Sequence, residues 1–173
     1  MDYSNIITPT IMMLVMAFLF AVSKKKPKED EKGNKILRLP LLYPIMGGTA
    51  TLGSVIILGY GLFTCKSDEV IFVFLFFLMA AGLGVPLLLM GTIFKIVITP
   101  EQIEQTTAFG KIKTIRWSDI TSISFGKISL ELKIKSHNQT IKVHMHLVGF
   151  PYFINEIEAN TKFTRADMGL PKF

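Results

Sequence analysis

The residues most able to do chemistry are His144 and His146. Two histidines at an i, i+2 spacing on a strand share one face, and such a pair can hold a metal. Glu131 would lie across a hairpin from them, and His137 could approach only if that hairpin curled. No cysteine or close carboxylate completes a ligand set, so the expected state is two exposed strand histidines and no metal. Ser, His and Asp all occur, but without the ordered spacing of a nucleophile elbow. The pairs Gly47-Gly48 and Gly82-x-Gly84 sit inside long apolar runs, which rules them out as phosphate loops. Cys65 is alone, so no intramolecular disulfide can form. These residues predict neither an enzyme nor a cofactor.

The elements that carry them are set by where charge is missing. Segments 6–22, 41–63 and 70–94 contain no Asp, Glu, Lys or Arg, and all 19 basic and 13 acidic residues of the 173 lie elsewhere. A soluble domain spreads about 25% charge along its length. Crossing a bilayer takes about 20 apolar residues at about 1.5 Å each. Segments 41–63 and 70–94 satisfy this fully. Segment 6–22 is shorter, and it can be extended to the interfacial aromatic Tyr3. A cleaved signal peptide would need basic residues ahead of its apolar run. Asp2 stands there instead, and Lys24, Lys25 and Lys26 follow as a stop-transfer flank, so 6–22 is read as a retained span.

The basic residues are lopsided. The linker 23–40 holds seven, the loop 64–69 holds only Lys66, and 95–173 holds eleven. The positive-inside rule puts the linker and the C-terminal region in the cytoplasm and the N-terminus outside. A net charge of +6 would suggest nucleic acid in a soluble protein. Here topology and anionic headgroups account for it, so the bilayer is the expected partner and nucleic acid is not. Stretch 24–35 reads as a solvated linker, its lysines broken by Glu29, Asp30 and Glu31.

The second and third spans must form an antiparallel hairpin. Gly48 and Gly53 on one, and Ala80 and Gly84 on the other, are the expected close-packing positions. Pro86 is expected to kink the third span. Because the spans hold no ionisable side chain, transport by a single chain is disfavoured.

Beyond residue 94 the period changes to two. Ile128, Leu130, Leu132 and Ile134 alternate with polar residues, as do Ile141, Val143, Met145 and Leu147 across a His137-Asn138-Gln139 turn. Strands 95–99, 102–107, 112–117 and 120–126 precede them. Tyr152–Asn160 reads as a helix striped by Phe153, Ile154 and Ile157. The run Ile96-Val97-Ile98-Thr99 through Glu101 and Ile103, then Ile115-Arg116-Trp117-Ser118-Asp119-Ile120 to Ile123, resembles the bacterial pleckstrin-homology-like (PH-like) domains found beside transmembrane hairpins. The resemblance covers about residues 94–161. It implies a binding or scaffolding module, with Trp117, Ile120 and Ile123 in the core and Asp119 tying the corner through its backbone. Relatives that bind phosphoinositides carry basic residues between the first two strands, where this chain has Thr99-Pro100-Glu101. Lys111, Lys113 and Arg116 form a later basic cluster that could touch lipid headgroups.

The expectation is therefore a membrane region of three helices (1–94) and a small cytoplasmic α+β PH-like domain (95–161). That domain would have about six antiparallel strands and a C-terminal helix, followed by a patternless tail (162–173). A protein-interaction or scaffolding role follows, through an unknown protein partner or self-association. The rivals are an oligomeric transport or lipid-handling component and an anionic-lipid-sensing regulator.

Overall fold

The computed structural model describes residues 4–170. Asp2, Tyr3 and residues 171–173 of the tail lie outside them. The chain divides into two units, Leu41–Phe94 with Thr106–Lys111, and the remainder.

The first unit is built on α2 (Leu42–Thr64) and α3 (Val70–Thr92), each of 23 residues. Both are long and apolar enough to cross a membrane. Their outer faces, including Ile56, Leu52, Phe72 and Leu83, are exposed, whereas the core helix of a soluble protein would be mostly buried. In hydrocarbon only a helix satisfies its own backbone, and the Thr and Ser hydroxyls here also bond within their helix. Thr51 Oγ1 donates to the Gly47 carbonyl at 2.8 Å, and Ser54 Oγ to that of Thr51 at 2.8 Å. The chain stays helical through Pro86.

The seam between α2 and α3 runs through the expected Gly84 but not through Gly48 or Gly53. A methyl group on Gly53 would meet nothing within 4 Å, and on Gly48 only Leu88 Cδ1 at 3.9 Å. Gly47 is the tight position: a Cβ there would come within 2.3 Å of the Leu88 backbone nitrogen. Gly61 abuts Val73, Gly91 abuts Pro44, and Gly84 abuts Thr51. Of the four expected residues, Gly84 is buried at the seam and Ala80 is half-buried. Gly47, Ser54 and Gly61 are the buried residues of α2 and stand seven apart, as do Gly84 and Gly91 on α3. Two helices in contact along their length keep a period of seven, not four.

The second unit contains α1 (Ser4–Ser23), β1 (Lys28–Glu29), β2 (Lys35–Arg38), β3 (Lys95–Ile98), β4 (Gln102–Thr106, all but its last residue), β5 (Ile112–Arg116), β6 (Ser122–Gly126), β7 (Glu131–Lys135), β8 (Thr140–His144) and α4 (Phe150–Asn160). The strands form two sheets, β1-β2-β3-β4-β5 and β6-β7-β8. The six strands after residue 94 and the C-terminal helix are present, but the strands divide between two sheets instead of one, and the linker is not solvated. Its residues 35–38 pair antiparallel with β3, Arg38 opposite Lys95 and Lys35 opposite Ile98. Leu37 is 0% exposed, in the core with Ile96 and Ile103. Asp30 accepts the Lys32 and Asn34 backbone N–H groups at 2.9 and 2.8 Å and so closes the β1–β2 turn, where Gly33 takes a left-handed φ of 79°. Lys35 forms an ion pair with Glu156 of α4.

Trp117, Ile120 and Ile123 are buried. The Trp117 indole donates to the Thr99 carbonyl at 3.1 Å, and its backbone N–H to that of Glu101 at 3.2 Å, pinning the β3–β4 turn to the corner. Asp119 takes its hydrogen bond from the Ser118 hydroxyl at 3.0 Å; the corner is tied by Trp117. The expected strand 128–134 is shorter. Residues 127–130 make the β6–β7 turn, with Leu130 at a φ of 52° and Ile128 fully exposed at 101%. Ile128 and Leu130 match the period of two, but the left-handed Leu130 belongs to the turn, and alternation alone does not mark where a strand begins. Gly149, at a φ of 89°, starts α4, with Pro151 in its first turn. The tail also folds back: Met168 is buried, and its carbonyl accepts the Phe125 N–H at 2.8 Å.

Two substitutions test this description. Leu37→Ala should cost about 2–5 kcal/mol, as for a filled core position, read from the denaturation of Trp117 fluorescence in detergent. No change would restore the solvated linker. Gly47→Ile should disrupt hairpin assembly while Gly53→Ile leaves it intact, measured by thermal melting of the full chain.

Candidate functional site

The C-terminal end of α1 packs on the β unit, because its last turn is finished by that unit's loops. Leu19 and Ser23 are buried. The Ser23 hydroxyl closes the helix on the Phe20 carbonyl at 2.9 Å, and the Ser23 carbonyl accepts the Gly149 N–H at 2.9 Å. The Phe20 ring meets the edge of His146, centroids 5.3 Å apart at 89°.

His146 is thus not an exposed strand histidine; it is 5% exposed. Strand β8 ends at His144, and the chain turns through 145–148, carrying His146 inward. The two rings lie 4.8 Å apart. The His146 N–H donates to His144 Nδ1 at 3.3 Å, so that nitrogen is an acceptor and its ring neutral in this geometry. Glu131 is opposite His144 across the ladder and also faces Lys142 at 3.9 Å. Among the described residues no three His, Cys, Asp or Glu side chains gather to hold a metal. Burial lowers the proton affinity of His144, although the Glu131 carboxylate pulls the other way. Burial also lowers that of His146, and neighbouring His144 lowers it further.

Lys111, Lys113 and Arg116 are not one cluster. Lys111 is in the turn after Gly110, its N–H on Thr107 Oγ1 at 3.1 Å. Lys113 points the other way from Arg116 along β5, as alternation requires. Its Nζ donates to the Thr140 carbonyl at 3.1 Å. With Gln105 Nε2 on the Lys142 carbonyl at 2.7 Å, it stitches the two sheets where no backbone ladder joins them. Arg116 is exposed at the strand end.

A feature that the sequence reading missed lies beside the α1 terminus. An apolar cleft of about 80 Å³ is lined by Phe20, Met145, Phe150, Ile154 and Leu170, with Lys24 and Arg165 also at its wall. A single water needs about 10–15 Å³ on this measure. The lining comes from three separated segments, of which only the α4 stripe was visible as a pattern.

A base that folding makes harder to protonate leaves the unfolded state binding more protons, so stability is full above the ordinary histidine value of 6.5 and falls as pH drops below it. The full chain in detergent should therefore melt lower at about pH 5.5 than at about pH 7.5. His146→Phe should shrink the difference. Equal melting temperatures at both pH values would contradict this account of the pair.

No protein-family model, curated protein or solved structure matches the chain.

Proposed function

We propose that the chain is a three-span membrane protein with its N-terminus outside. Its cytoplasmic PH-like domain would hold a binding surface for a protein partner at the inner face of the bilayer. The observation that carries this reading is the β2–β3 ladder. Arg38 precedes α2, and Lys95 follows α3, so the strands that connect to the two apolar helices belong to the folded sheet itself. The apolar helix α1 (Ser4–Ser23) would supply the third crossing, its last turn meeting the β unit. The seven basic residues of 23–40 support this direction. Two sheets, a tryptophan corner and a closing helix support the PH-like assignment.

The orientation is tested with the native thiol. Cys65, between α2 and α3, should react with a membrane-impermeant maleimide on intact cells. In a Cys65→Ser background, Asn138→Cys in the β7–β8 turn should react only after permeabilisation. The reverse pattern would overturn the topology. The binding role is tested by a photocrosslinking amino acid at Ile128, the fully exposed position of the β6–β7 turn. Discrete adducts with one protein species, in cells, are expected. Lipid adducts alone would favour the lipid-sensing alternative.

A further inference from the structure

We propose that the cleft beside the α1 terminus is a binding site for an anionic phospholipid of the same leaflet, a proposal that rests on α1 crossing the bilayer. Along α1, Met13, Met16 and Phe20 stand at helical spacing, so one apolar stripe runs down the helix and ends in the cleft. Met13 and Met16 are exposed, 71% and 37%, and Phe20 is half-buried at the cleft wall. An acyl chain lying on that stripe has a continuous apolar path into the space between Met145, Phe150 and Ile154. The headgroup end of the path is cationic. Lys24 is one turn past Phe20 and exposed, and Lys25 and Lys26 follow it. Arg165 is on the same rim, held in place by Glu158 at 3.2 Å and by the Asn155 side-chain oxygen at 2.6 Å. Glu158 offsets much of the Arg165 charge, so Lys24 carries the selectivity for an anion. Position, polarity and charge thus agree: apolar below, cationic where phosphate would sit, at the depth of a helix end.

The test uses the full chain reconstituted in phosphatidylcholine vesicles containing a trace of phosphatidylglycerol with a photoactivatable diazirine in its acyl chain near the ester. Adducts are mapped by peptide mass spectrometry. Labelling is expected on the peptide spanning Met145 to Ile154. It should fall about fivefold or more with Lys24→Glu, which removes one basic residue near the anionic headgroup and adds a repelling carboxylate. Leu170→Trp, which narrows the mouth, should also lower it, and a phosphatidylcholine probe should label the cleft several-fold less. Labelling of α2 and α3 serves as the internal reference and should not change. Reference labelling without cleft labelling, or cleft labelling indifferent to both headgroup and Lys24→Glu, would overturn the site and leave the membrane reading intact. A chain that stays outside the vesicles would overturn both.

Discussion

The pairing of β2 with β3 is the constraint on which the β unit depends. A sheet cannot leave interior N–H and C=O groups unmatched. Without β2, the strand β3 would be an open edge carrying Ile96 and Ile98. With it, Leu37 fills the core, and β1 with its charged side chains becomes the edge. Natural sheets blunt their edges with such short, charged strands. The lysines and acids of the linker thus act as edge protection as well as topogenic charge.

The same pairing explains why α1 has a fixed end. Val148 donates to the Arg38 carbonyl at 2.9 Å, and the next residue, Gly149, donates to Ser23. The loop 145–149 therefore clamps both ends of the linker, one residue after another. Pro27 packs so closely on Gly149 that a side chain there would collide at 2.8 Å. The histidine pair and the apolar cleft both flank this loop. They are neighbours because a single turn of chain has to satisfy α1, β2 and α4 at once.

Much of this was legible in the sequence where a pattern was long or punctuated. The two long apolar runs, the strands bounded by Thr99-Pro100-Glu101 and His137-Asn138-Gln139, and the α4 stripe all have length, period or turn chemistry on their side. The illegible parts share a different cause. Residues 35–38 offer only Ile36 and Leu37 between charges, and their burial is decided by a partner strand nearly sixty residues away in sequence. The inward turn of His146 follows from the end of β8, which no local residue marks. Gly47 and Gly53 are the same residue in the same helix. Only the partner helix distinguishes them.

The tail that covers β6 gives the molecule an order in time. Arg38 must wait for Lys95, and Phe125 for Met168, each partner emerging from the ribosome later than both apolar helices. At 5–20 residues per second, the interval from Arg38 to Lys95 is on the order of several seconds. Through that interval Leu37 has no core to enter. A strand of four residues with two charged ends is well suited to waiting in water, and the charges that hid it from sequence reading keep it soluble until its partner arrives.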